Sequence, residues 1–296
     1  MLLLEVFEMN AFLLILVVIG LSAQHITKKI YGQKSDGGAY TFSALSALVA
    51  LIFFLFSSGG DLHFAWDFVP HAIGFALTYS LSILFSFLAI KEGSLSLTSL
   101  ITSYSLLIPT AYGLIAWGEK FSFLLAVGIV LLIVSIFLIR FEPKQIEDEK
   151  AARITPKWLL YVSLSFIGGG GCSAVQTEQQ RSFSGAYKNE FMIVALGITF
   201  FAIMICALCI EKKSVPMHIK RGVFTYTICG AANGAVNYIV MILTMRMNTS
   251  VMFPIISGGS ILAAAILSMT LYREKLSTIQ KIGLLVGIAS IIVLNI

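Results

Sequence analysis

The chain has 296 residues, of which 58% are apolar and only 12% charged, and its formal net charge is +5. A soluble domain carries roughly 25% charged residues, so this composition and a mean hydropathy of +0.92 exclude an ordinary water-soluble globule. The basic balance does not indicate nucleic acid, because the charges are scattered among short clusters and never massed on one face; anionic lipid headgroups are the natural counterpart.

A helix that crosses a hydrocarbon core of ~30 Å needs about 20 apolar residues. Ten such runs are expected, at about 10–29, 40–57, 69–90, 95–117, 121–139, 157–178, 190–210, 222–245, 249–271 and 277–295. They are apolar on every face and much longer than the ~10 alternating residues of a barrel strand, so they read as helices. The first run follows Glu5 and Glu8 rather than Lys or Arg and lacks a small-residue cleavage site, so it is expected to be a span and not a leader. The longest loop, from Phe141 to Pro156, holds Glu142, Lys144, Glu147, Asp148, Glu149, Lys150 and Arg153 and reads as a charged linker. The expected organisation is a five-helix repeat over 1–140, the linker over 141–156 and a second five-helix repeat over 157–296. Cys172, Cys206, Cys209 and Cys229 lie in apolar segments without a second ligand pair, so buried inert thiols are expected.

The two halves share one text. Residues 88–140 fall on 243–295 at a constant offset of 155. Leu88 meets Leu243, Lys91 meets Arg246, Ser105 meets Ser260 and Gly128 meets Gly283. Ser135-Ile136 falls on Ser290-Ile291, and Trp117-Gly-Glu-Lys-Phe-Ser122 on Tyr272-Arg-Glu-Lys-Leu-Ser277. The first and sixth spans repeat more weakly: Ser22-Ala23-Gln24-His25 sits near Ser173-Ala174-Val175-Gln176, and Gly38-Ala39-Tyr40 near Gly185-Ala186-Tyr187. Five spans per copy is odd, so the second copy is expected to enter the bilayer upside down, giving the inverted repeat of secondary transporters with a site near the midplane. The Glu119 and Glu274 motifs are expected to act structurally at helix starts, with Ser122 and Ser277 as N-caps.

Apolar runs that end in Gly-Glu-Lys-x-Ser (Gly118 to Ser122) and Arg-Glu-Lys-x-Ser (Arg273 to Ser277), together with Ala89-Ile-Lys-Glu-Gly-Ser-Leu-Ser before the fourth span, resemble the EamA-type branch of the drug/metabolite transporter superfamily. The resemblance covers essentially the whole chain. It implies ten helices in two inverted repeats and movement of small metabolites, amino acids or drugs across an inner or plasma membrane. It does not fix the cargo.

Sixteen of the twenty Lys and Arg residues fall in the odd-numbered loops. The positive-inside rule then places those loops in the cytoplasm and both termini outside. Members of the resembled family usually carry both termini inside, so charge and resemblance disagree, and the lopsided charge count is taken as the stronger guide.

Polar groups within hydrocarbon are costly unless they face a cavity or a partner. On the third span Thr78 and Ser82 lie one turn apart, and the repeat places Asn233 and Asn237 at the same points of the eighth. Tyr79 and Tyr238 flank these pairs. Gln24 and His25 in the first span answer to Gln176 in the sixth. The fourth span carries Ser103 and Tyr104, and the ninth carries Ser257 and Ser260; there Pro254, Gly258 and Gly259 can kink or open the helix, as can Gly168 to Gly171 in the sixth, with close packing through small residues as the alternative. Helix–helix hydrogen bonding is the alternative role for the amides and hydroxyls. Glu178, a carboxylate near the end of an apolar span, is the coupling candidate.

Spans three, four, eight and nine hold no central Asp, Glu, Lys or Arg, so a neutral-polar cavity is expected. That suits a neutral or zwitterionic, amino-acid-like solute, with stacking of organic cations or drugs on the tyrosines as the alternative. An intramembrane enzyme is disfavoured because His25, His63, His71 and His218 lie on separate segments with no H-E-x-x-H motif. No cofactor, metal or nucleic acid is expected. The expected partners are a small-molecule substrate and the lipid bilayer, with the protein acting as a monomer or homodimer.

Overall fold

The fold is taken from a computed structural model, which describes residues 2–35, 37–92, 98, 101–102, 104–140, 155–271 and 278–295. Ten α-helices run through them with no strand: α1 Leu2–Lys34, α2 Ala39–Ser57, α3 Val69–Glu92, α4 Leu107–Ala116, α5 Phe123–Arg140, α6 Pro156–Ser182, α7 Lys188–Ile210, α8 Val215–Thr244, α9 Thr249–Leu271 and α10 Thr278–Asn295. Six of these, α1, α2, α3, α6, α7 and α8, are long and apolar enough to cross a membrane, and four shorter apolar helices accompany them. The chain is thus an all-helical protein with the build of a multi-pass membrane protein. The expected linker over 141–156 lies almost wholly outside the described residues, as do Glu274 and Ser277.

Local chemistry accounts for the helix starts. Thr155 is an extended N-cap whose Oγ1 accepts from the Trp158 amide at 3.1 Å, and Pro156 fills the first helical position, where no N–H is needed. Ser122 caps α5 as its motif suggests, with Oγ accepting from the Leu125 amide at 3.0 Å. Gly38 precedes α2 in a left-handed conformation, φ 84°. The Glu211 carboxylate at the end of α7 then receives the amides of Tyr40 at 2.9 Å and Thr41 at 3.1 Å. In the fourth span residues 98, 101 and 102 are α-helical, and a 3₁₀ turn at Tyr104–Leu106 comes between them and α4. Pro109 then falls in the first turn of α4, where a proline is tolerated.

Helix pairing is symmetric under exchange of the halves. α1 packs on α8 as α6 packs on α3, α1 on α9 as α6 on α4, and α2 on α8 as α7 on α3. α2, α4 and α5 pair with their own counterparts α7, α9 and α10. These self-pairs are antiparallel. Ser135 Oγ on α5 donates to the Gly283 carbonyl at 2.7 Å, and Ser290 Oγ on α10 donates to the Gly128 carbonyl at 2.7 Å. The partners are the same positions of the two copies, exchanged, as a two-fold relation requires. Outward faces are apolar: Ile282, Leu285, Ile288 and Ile292 form an exposed stripe along α10, and Phe12, Ile15 and Ile19 another along α1. Cys206 and Cys209 are exposed on α7 rather than buried as expected.

The glycine runs do not open their helices. α6 is continuous through Gly168 to Gly171, and α9 through Pro254, Gly258 and Gly259. Their role is close approach. A Cβ at Gly168 would stand 2.6 Å from Ser82 N and Thr78 O of α3, and one at Gly170 would stand 2.6 Å from the Ser105 carbonyl. On α9 the corresponding clashes are with Leu132 Cδ1 at 2.5 Å for Gly258 and Val18 Cγ2 at 2.7 Å for Gly259. Small residues let helix backbones meet where lipid supplies no hydrophobic force between them. Gly168→Ala is expected to cost about 1–3 kcal/mol and to lower the thermal midpoint in detergent. Gly197→Ala, whose methyl would meet only Leu51 Cδ1 at 3.5 Å, is expected to leave it unchanged or higher. Equal midpoints for the two variants would show that α3 and α6 are not pinned at Gly168.

Candidate functional site

The exchange-symmetric packing leaves a hollow of about 210 Å³ between the halves, lined by α1, α8 and α9, by α6 and α3, and by the segment just before α4. Its polar lining comes in pairs set by the repeat. Ser82 and Asn237, Thr102 and Ser257, and Ser105 and Ser260 are each related by the offset of 155, and all six line it. His25 and Gln176, matched between the first and sixth spans, line it as well. Val17, Val240, Phe253 and Ile256 form an apolar floor. A larger hollow of about 420 Å³ lies between Asn10, Lys120 and Asn248.

Four amides form one chain across the seam. Gln176 Nε2 on α6 donates to Asn237 Oδ1 at 3.2 Å and to the Asn237 carbonyl at 3.3 Å. Asn237 Nδ2 donates to Asn233 Oδ1 at 3.2 Å, one turn back on α8. Asn233 Nδ2 donates to Gln24 Oε1 on α1 at 3.2 Å. Every donor points the same way, so the run ends at Gln24 Nε2, which is buried without a hydrogen-bond partner among the described residues. The Tyr79 hydroxyl, also in the wall, is buried in the same condition. Leaving such a group unmet costs about 1–3 kcal/mol, so both are poised to receive a polar guest.

The structure therefore brings Gln24, His25, Tyr79, Ser82, Gln176, Asn233, Asn237, Ser257 and Ser260 to one cavity. Thr78, Tyr104, Tyr238 and Glu178 are not among its lining. Thr78 Oγ1 donates back to the Gly74 carbonyl at 2.8 Å. Tyr104 packs near Leu132 and Ile261. Tyr238 points the other way, against Phe53 and Phe54, with Lys188 Nζ 4.2 Å from its ring centre. Glu178 stands outside the wall and accepts from Tyr112 Oη at 2.5 Å and Ser182 Oγ at 2.9 Å, tying α4 to α6. Ser103 lies outside the described residues.

One expectation is corrected. The cavity is not neutral, because Lys28 lines it. The sequence reading ended the first span at residue 29 and counted Lys28 with the following loop, but α1 continues to Lys34. Ser86, Ser165 and Ser173 were also missed; Ser173 sits one turn before Gln176, the spacing that could have identified it.

One turn of α9 beyond Phe253, the floor is clamped by Glu119. Its Oε1 accepts from the Thr249 amide and hydroxyl, both at 2.9 Å, and its Oε2 from the Ser250 amide at 2.7 Å. Arg181 at the end of α6 pairs with the same carboxylate and lies 5.4 Å from the Trp117 ring centre. The motif carboxylate thus caps a helix as expected, but that helix is α9 of the other half and not the adjacent α5. Burial alone would raise the Glu119 carboxyl; the hydrogen bonds from Ser250 and Thr249 outweigh it and hold the group below the usual carboxylate value. A depressed folded value gives stability that is present above the unfolded carboxylate range and is lost as pH falls through the folded value. Thermal stability is therefore expected to drop on acidification below about pH 4. Glu119→Gln is expected to lose about 3 kcal/mol at neutral pH, by leaving Arg181 without its charge partner, and to show a flatter acid limb. A parallel acid limb in that variant would place the titration elsewhere.

No protein-family model and no curated protein matches this chain. Its backbone is similar to that of a solved structure described only as a crystal structure of a protein, with a TM-score of 0.74 across 97% of this chain and 96% of the other, at 12% identity. At that identity the likeness is one of fold and carries no cargo with it.

Proposed function

We propose that this protein is a secondary transporter that carries a small polar metabolite, neutral or zwitterionic and amino-acid-like, across the cell membrane by alternating access. The observation that carries the reading is the polar hollow on the seam between two repeats, built from side chains that the repeats supply in matched pairs. Antiparallel packing of α2, α4 and α5 on their own counterparts supports an inverted duplication with its axis in the membrane plane, the arrangement in which a site lies between repeats that rock against each other. The resemblance of residues 118–122 and 273–277 to the EamA-type branch points the same way. Size favours a metabolite over a drug: about 210 Å³ is below the roughly 300–1,000 Å³ of drug-sized pockets.

Purified protein in proteoliposomes is expected to show saturable uptake that accelerates when the same solute is loaded inside. Linear uptake, indifferent to internal solute, would identify a channel instead. Asn237→Ala removes the link between Gln176 and Asn233 while the Asn237 carbonyl remains as an acceptor. It is expected to reduce uptake tenfold or more, with about 1 kcal/mol of lost stability. Normal uptake by that variant would remove the amide chain from the transport path.

A further inference from the structure

The cavity wall is symmetric in its hydroxyls and asymmetric in its charge. Lys28 supplies the one ammonium of the wall, and no Asp or Glu is among the described residues that line it. By the register that matches His25 to Gln176, the counterpart of Lys28 is Gln179. That residue is fully buried and spends its Nε2 on the Ala186 carbonyl at 3.1 Å, outside the cavity. No carboxylate pairs with Lys28 among the described residues; the titratable group beside it is the Cys229 thiol of α8. An ammonium drawn out of water needs an opposite charge or several acceptors. Gln24 stands four residues earlier, hence on the same helical face, and ends the amide chain in an Nε2 that is buried and unmet. Two donors, one of them charged, therefore face the cavity with no acceptor of their own among the described residues.

We propose that Lys28 and the Gln24 amide form an anion subsite at one end of the cavity that takes the carboxylate of the transported solute. The match is chemical: a carboxylate offers two acceptor oxygens, one for a charged donor and one for a neutral donor. The remainder of the solute then lies toward Tyr79, Asn237 and the floor at Phe253. The same placement repels organic cations, since the wall answers an ammonium with an ammonium. This assignment rests on the transporter reading above and goes further by fixing which end of the solute the protein holds.

The test uses matched sets in proteoliposomes: an α-amino acid, its primary amide and its decarboxylated amine, across small aliphatic and hydroxylated side chains, each measured by counterflow against itself. The acid of at least one set is expected to be taken up at least tenfold faster than its amide and its amine by the unaltered protein. Lys28→Met is expected to lower uptake of that acid tenfold or more, and Lys28→Arg to retain most of it. Uptake of the acid no faster than of its amide overturns the subsite and needs no variant to show it. Undiminished acid uptake by Lys28→Met overturns it as well; in both cases carrier activity itself stands. Absence of uptake for every member of every set overturns the subsite together with the transporter reading.

Discussion

A buried amide must spend its hydrogen bonds inside the protein, and four amides on three helices cannot all do so at once. Gln176, Asn237, Asn233 and Gln24 settle into a single donor direction. Each of the first three donates to the next, and the last is left with an unmet donor among the described residues. In water the remainder would be trivial. In a low-dielectric seam it is an uncompensated group in a fixed position. Where that chain ends fixes which part of the cavity wall holds an unmet donor. α6 contributes the first donor and α1 the last, so the chain also bridges the two copies.

Duplication supplies the walls and asymmetry supplies the direction. The reciprocal Ser135–Gly283 and Ser290–Gly128 hydrogen bonds are what two copies of one surface make when they meet face to face. The same exchange sets Ser105 opposite Ser260 and Thr102 opposite Ser257 around the hollow. A perfectly symmetric pocket would hold a solute equally well in either sense. Lys28 on α1 against a sequestered Gln179 on α6 breaks that equivalence with a full charge, the largest local term available.

Sequence made the paired residues legible and left the azimuths and helix ends hidden. Ser82 and Asn237 could be named because the offset of 155 repeats a polar residue at a matched point, and a residue that recurs through symmetry must face something symmetric. Tyr238 shares its neighbourhood with Asn237 in the text, yet a step of one residue turns ~100° around a helix, which carries its ring to Phe53 and Lys188. Lys28 was hidden because hydropathy marks where a helix becomes wettable and not where it stops; α1 runs two turns past its last long apolar stretch. Glu119 shows the limit of local motifs. Its capping chemistry was readable in Gly-Glu-Lys-x-Ser, whereas its partner helix, 130 residues away in the chain, is fixed only by tertiary packing. The glycine runs likewise spelled small residues without saying whether they loosen a helix or seat it.

The ties at the two ends of the cavity differ in kind. Beyond the apolar floor, one buried carboxylate gathers two backbone amides, a hydroxyl and the Arg181 guanidinium, joining α4, α6 and α9. Toward the Lys28 end, α3 and α6 are joined by Lys157, which is exposed, and Glu92, which is partly so, and a pair within reach of water contributes little. The Trp158 indole adds a buried hydrogen bond to Thr98 Oγ1 at 3.0 Å, but no charge is buried with it. Separating the floor leaves a guanidinium and a carboxylate without each other in a poorly hydrated place. Separating the opposite end parts two ions that water already reaches. Under the proposed alternating access, rocking of the halves would meet unequal resistance at the two mouths, and the charged side chain of the wall lies nearer the one held by the exposed pair.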